Sequence, residues 1–165
     1  MSERPLWAPW RIQYIEGPKN EACIFCSAVS ESEPTEGWQR PVDRGHRCFT
    51  LLNTFPYASG HVMVAPYRHI GSLEELDQEE LAELMQLARR AVAAQRRAMS
   101  PDGFNLGLNL GTVAGAGIAD HLHLHVVPRW EGDNSFMPVL ADIRVLPQAL
   151  EATYEALTNA LEAVD

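Results

Sequence analysis

The sequence predicts an α+β domain built on an antiparallel sheet, and three features predict it. Two apolar runs, 48–53 and 61–66, flank a segment with the turn chemistry of Pro56, Ser59 and Gly60, the pattern of an antiparallel pair. A long stretch with helical spacing then separates these runs from two further strand-like runs, 104–109 and 121–130, and a second helical stretch closes the chain. The connections are short throughout. That order suits an antiparallel sheet better than a doubly wound parallel one, whose strands need long crossovers.

Each element has its own justification. Residues 1–20 carry Pro5, Trp7, Pro9, Trp10 and Pro18, and two tryptophans in a free tail would expose much apolar surface. This arm is expected to pack on the domain's own core or on a partner subunit. A polar, Glu- and Ser-rich stretch follows Cys26 as far as Gly37. Ser72 has the character of a helix N-cap, with Glu74 and Glu75 favourable in the first turn, and Leu76, Leu81, Leu84, Leu87, Ala88 and Ala91 keep helical spacing to about Met99. Arg89, Arg90, Arg96 and Arg97 suit the end of that helix and are read as solvated. Ser100-Pro101-Asp102-Gly103 stops it. After Trp130 a polar turn leads through Phe136-Met137-Pro138 to a helix over 147–163, amphipathic through Leu150, Tyr154, Leu157 and Leu161. No repeat or linker interrupts the 165 residues, so one domain is expected over 1–165.

Composition narrows the class of function. A hydrophobic content of 46% with 21% charged residues fits a soluble globular chain. No apolar run approaches the roughly 18 residues of a membrane span, and the opening Met1–Trp7 lacks an apolar signal core, so a cytoplasmic protein is expected. The net charge of −9 argues against nucleic-acid polymers and anionic membranes as partners. It leaves room for a small phosphorylated ligand, which a few aimed amides, imidazoles or an arginine can hold.

Three stretches carry chemistry. In His121-Leu122-His123-Leu124-His125-Val126, written as a strand, three imidazoles share one face and the apolar residues the other. The bland alternative is a polar, solvent-facing edge. Imidazole, however, can act as nucleophile, proton carrier or metal ligand near neutral pH. Cys23 and Cys26 have zinc-knuckle spacing. Alone, that pair reads equally as metal or redox; with His69 and His121 as the best distant candidates, a structural Cys2His2 zinc site is favoured, since no thioredoxin-like pattern surrounds the cysteines. Cys48 reads as a small buried hydrophobe. The small-residue loop 110–120 is neither a P-loop nor a Rossmann turn. Alone such a loop reads as merely flexible; leading directly into three imidazoles, it is expected to form a phosphate cradle through backbone amides, with Asn109 at the end of the preceding strand adding a contact.

The run 121–129, His-Leu-His-Leu-His-Val-Val-Pro-Arg, resembles the signature of the histidine triad (HIT) family of nucleotide-binding hydrolases and transferases. Cys23–Cys26 is similar to that family's zinc pair, and Leu52–His61 with Pro66–His69 is similar to its ribose-binding strand and the turn beyond. Leu6–Arg11 and Val127–Asp133 further resemble the branch of bacterial diadenosine tetraphosphate phosphorylases. The resemblance implies a HIT-like antiparallel sheet of about five strands with a long central helix and a C-terminal helix, and a homodimer.

The same resemblance implies roles. His123 would attack the α-phosphorus and carry a nucleotidyl group, while His125 binds or protonates phosphate oxygens. Cys23, Cys26, His69 and His121 would hold Zn2+. Asn53 would hold the ribose, and Asn109 with the amides of Gly115, Ala116 and Gly117 the phosphate. Phe25, Leu51, Leu52 and Phe55 read as a wall for the base or simply as core. Many family hydrolases carry Gln four residues before the first histidine, where this chain has Gly117, followed by Ile118 instead of Ser or Thr. The glycine leaves room for a larger acceptor. The expected reaction is therefore cleavage of a dinucleoside polyphosphate by inorganic phosphate, giving ADP and ATP. The alternatives are hydrolysis releasing AMP and a zinc-stabilised nucleotide-binding module without turnover.

Overall fold

The strand-like runs join in a single sheet, as expected. In the computed structural model, which describes residues 23–30, 37–133 and 148–164, the strands are β1 (Asp43–Arg44), β2 (Cys48–Leu52), β3 (Val62–Pro66), β4 (Gly103–Leu108) and β5 (Leu124–Arg129). They lie in the order β1-β2-β3-β5-β4, and every neighbouring pair is antiparallel. The helices are α1 (Ile24–Ala28), α2 (Gln78–Met99) and α3 (Leu150–Leu161). The fold is therefore α+β. Expectations for the arm 1–20 and for the turn through Phe136, Met137 and Pro138 lie outside the described residues, as does the proposed start of the last helix at Pro147. No helix among the described residues is long and apolar enough to cross a membrane.

Over β2, β3 and β5 both faces of the sheet are covered, and strand parity decides what covers each. Even-numbered Leu52, Val62, Val64, Leu124 and Val126 pack against Leu84, Leu87, Ala88, Ala91 and Ala94 of α2 and against Leu157 and Leu161 of α3. Odd-numbered Phe49, Leu51, Met63 and Ala65 pack against Phe25 and Ala28 of α1. Burying a single Leu or Val in this way contributes about 1.5–3 kcal/mol, so the two clusters hold the sheet from both sides. His125 pairs with Met63 in the ladder, which places the odd-numbered histidines on the α1 face.

The long helix starts later than its spacing suggests. Ser72 opens a separate 3₁₀ turn over Leu73–Glu75, and Leu76 is extended. The helix proper is capped by Asp77, which accepts from Glu80 N at 2.8 Å while Glu80 Oε2 accepts from Asp77 N at 3.0 Å. This reciprocal capping box overrides the earlier serine. Leu81, expected on the buried face, is 41% exposed. At the far end Ser100 adopts a left-handed conformation ahead of Pro101, as the stop signal predicts. Arg90 bridges Asp43 and the Val164 carbonyl, each at 2.8 Å, so it is a clamp and not merely a solvated helix end.

Candidate active site and metal centre

One turn of helix is enough to bring Cys23 and Cys26 together, since residues three apart share a helical face. Cys23 caps α1, with Ser27 N donating to its carbonyl at 2.9 Å. The turn after β3 brings His69 to the same place. Leu122 N donates to Ile70 O at 2.6 Å, and a Cβ on Gly71 would lie 2.7 Å from Ala119 O, so the two segments touch. The result is a cluster of Cys23, Cys26, His69 and His121 whose ligand atoms all lie within 4.8 Å of one another. Cys23 Sγ stands 3.3 Å from His121 Nδ1, and Cys26 Sγ stands 3.3 Å from His69 Nδ1. Neighbouring ligand atoms around a tetrahedral zinc are roughly 3.3–3.8 Å apart, so the donor set fits such an ion. His121 Nε2 donates to Pro66 O at 2.9 Å, which leaves Nδ1 with its lone pair towards the cysteines. Burial and the neighbouring Cys23 push the Cys26 thiol up to about 11.

The histidine row enters β5 from outside it. His121 and His123 precede the strand, because both neighbouring ladders end at Leu124 and Leu122 N bonds to Ile70 instead. All three imidazoles are buried, so the solvent-facing alternative does not hold. Each is held in a defined protonation pattern. His123 Nδ1 lies 2.7 Å from His121 O, which can only accept, so Nδ1 carries the proton and Nε2 the free lone pair. Burial lowers the basicity of His123, opposed by that hydrogen bond. Phe25, fully buried, lies with its ring centre 4.9 Å from both His121 and His123.

His125 is matched to a residue for which the sequence offered no role. Tyr57 N donates to His61 Nδ1 at 3.0 Å, and Asn53 Nδ2 approaches the same atom at 3.3 Å. His61 Nδ1 is therefore an acceptor, and its Nε2–H donates to His125 Nδ1 at 2.9 Å. It follows that His125 Nε2 carries a proton; this buried donor has no partner among the described residues. Burial, and then the adjacent His123, push His125 down to about 4. A bare nitrogen on His123 and an N–H on His125 thus sit on rings 4.8 Å apart. Parity with the odd-numbered face was the signal that could have singled out His61.

The remaining expected residues are placed as follows. Asn53 is oriented by Phe55 N, which donates to its Oδ1 at 2.9 Å. Asn109 follows β4 directly, one step beyond the Leu108–Leu124 pair and so level with His123. In the small-residue loop the amides of Gly115 and Ala116 close on Thr112 O and Gly111 O at 3.0 and 3.3 Å, while Gly117 is exposed. Phe25, Leu51 and Leu52 are buried core residues; Phe55 is half exposed. Cys48 is fully buried, its thiol pushed up to about 12 by burial and then by Glu83, Glu80 and Asp77, which makes it inert.

The described residues thus form an antiparallel sheet presenting a buried triad of histidines beside a Cys2His2 cluster. Residues 41–132 match the HIT domain family model. The chain belongs to the HIT domain family. It is 39% identical over 164 residues to a Mycobacterium tuberculosis protein named AP-4-A phosphorylase, covering 93% of this chain and 82% of that one. Among solved structures, a zinc-bound histidine triad family protein from Mycobacterium smegmatis matches with a TM-score of 0.70 and 29% identity, covering 87% of this chain and 96% of that one. A histidine triad nucleotide-binding protein from Sulfolobus tokodaii matches with a TM-score of 0.69 and 29% identity, covering 86% and 93%.

Proposed function

We propose that this chain is a phosphorylase of dinucleoside polyphosphates, acting on diadenosine tetraphosphate with inorganic phosphate as acceptor. The chain is an enzyme of the nucleotidyltransferase and hydrolase kind that makes up its family. The observation that carries the finer reading is the complementary proton pattern of the two histidines, a lone pair on His123 beside an N–H on His125. His123 Nε2 attacks the α-phosphorus, and the bond from that phosphorus to the bridging oxygen breaks, so ATP leaves with the oxygen. The His125 N–H stabilises the charge that builds on the phosphoryl oxygens. An oxygen of inorganic phosphate then attacks the same phosphorus, the P–N bond breaks, and ADP departs.

Asn53 holds the ribose. Asn109 and the 115–117 loop hold the phosphates, with Gly117 leaving space for the acceptor. Phosphorolysis is favoured over hydrolysis by this glycine and by the identity to the M. tuberculosis phosphorylase. Cys23, Cys26, His69 and His121 hold zinc; the zinc-bound M. smegmatis neighbour supports the choice of ion. Bound there, the ion supplies a structural cross-link between α1, the turn after β3 and the approach to β5. We read residues 1–165 as one domain of a cytoplasmic homodimer. β4 is an edge strand bearing exposed Leu106, suited to pairing with a second copy.

The test is incubation with diadenosine tetraphosphate, with and without inorganic phosphate, followed by separation of products. ADP and ATP appearing only with phosphate is the expected result. AMP release independent of phosphate would replace this reading with the hydrolytic one. No turnover of any polyphosphate, with nucleotide binding retained, would leave only a binding module.

A further inference from the structure

We infer that Gln95 is a positioning residue for the His61–His125 pair, acting from behind the sheet. The inference rests on the role proposed for His125. Gln95 is fully buried on α2, on the face of the sheet opposite the imidazoles. Its Nε2 donates to Gly60 O at 2.8 Å and lies 3.5 Å from Val126 O. Gly60 immediately precedes His61, and Val126 immediately follows His125. One amide nitrogen, with two hydrogens, thus holds both backbone segments that carry the hydrogen-bonded rings.

The Gly60–His61 peptide is pinned at both ends. Gln95 holds its carbonyl, and its amide donates to Ala58 O at 3.1 Å. Gly60 has φ +80°, and a Cβ there would lie 2.5 Å from Met99 Sδ. Gln95 and Met99 are one helical turn apart, so a single face of α2 grips this residue. Without the Gln95 donor, the Gly60 carbonyl would be buried unpaired, and the peptide would tilt to find another partner. The tilt moves His61, and with it the 2.9 Å bond that fixes which nitrogen of His125 carries the proton.

Gln95 is also an uneconomical way to fill a core. Its Oε1 is buried with no partner among the described residues. Flipping the amide gains nothing, because Oε1 would then face two carbonyl oxygens. A leucine of similar volume would satisfy the packing without the orphaned oxygen. What the glutamine adds is the donor.

Gln95→Leu and Gln95→Met, made in the metal-loaded, full-length protein, test this. Imidazole nitrogen NMR reports tautomers without reference to turnover. Wild type is expected to show a bare Nδ1 and protonated Nε2 on both His61 and His125; both variants are expected to lose that pattern on His125. With phosphate and dinucleotide, kcat is expected to fall roughly tenfold or more while KM changes less than about twofold, as for a displaced reacting group. Variants that melt earlier but keep the wild-type tautomers and kcat below their melting point would overturn the inference, leaving Gln95 as packing. If neither variant folds, the scalar coupling from the Gln95 side-chain nitrogen to the Gly60 carbonyl carbon in wild type decides, and its absence overturns the proposal. Altered tautomers alongside a wild type that lacks phosphorolysis would sink the functional reading while leaving the positioning intact.

Discussion

Protonation of His125 is a measurable load on the fold. The imidazole has an ordinary value of 6.5 and is held at about 4 by burial and by His123. Between those values the unfolded chain binds the proton and the folded chain does not, so stability rises with pH across this window and is lost on acidification. Above 6.5 both states are neutral and the group contributes no slope. The gap corresponds to about 3 kcal/mol, of which roughly 2.5 kcal/mol is gone by pH 4.5. Protonation elsewhere in the chain would also alter stability, so the test compares wild type with His125→Gln, which cannot titrate. Urea unfolding at pH 8 and pH 4.5 gives the stability change for each. The expected result is that wild type loses about 2 to 3 kcal/mol more than the variant over this interval. Equal losses in the two proteins would refute the claim that His125 is held neutral. A consequence for activity follows: an acid limb of kcat/KM near pH 6.5 cannot be ascribed to His125.

Further outcomes are expected for the metal site and for the oligomeric state. Protein purified without chelator should contain close to one zinc per chain, and Cys26→Ser should lose it with a drop in melting temperature on the order of 10 °C; zinc affinity should rise with pH, since the ion must displace the Cys26 proton held to about 11. Full retention of metal by the variant would remove Cys26 from the site. Light scattering at micromolar concentration should give a dimer, and Leu106→Lys on the exposed edge strand should shift it to monomer; a monomeric wild type would rule the pairing out.

How far the sequence could be read depended on whether a signal was local. β2 to β5 and α2 were legible because apolar runs bounded by turns, the alternation at 121–126 and helical spacing are local patterns in the chain. The start of α2 was not, because two acceptable N-caps lie five residues apart and the choice fell to the reciprocal bonds of Asp77 and Glu80. β1 is two residues long, too short to carry a period. The Cys23–Cys26 spacing announced half of the metal cluster, and His69 and His121 were chosen from few histidines; the fold does bring all four together. His61 is different. Its odd-numbered place puts it on the histidine face, but its importance lies in a bond to a residue 64 positions away and in the direction of the Tyr57 amide, and parity alone shows neither. Gln95 is similarly silent: one polar residue in an apolar helical stripe reads as an exception until its partner carbonyls are known.

The atom that fixes the proton on His123 is the main-chain oxygen of residue 121. No side-chain exchange can delete it. Scanning mutagenesis will therefore register residue 121 only through its imidazole, and will credit to the metal cluster an effect that belongs in part to the peptide plane. Changes that reach this acceptor must rotate that plane, through the Leu122 amide held by Ile70 or through the His121 ring held by Pro66. A backbone ester at the 121–122 linkage spares every side chain, but it removes the Leu122 N–H that donates to Ile70 O as well as weakening the carbonyl as an acceptor, so its effect reports on the whole peptide plane.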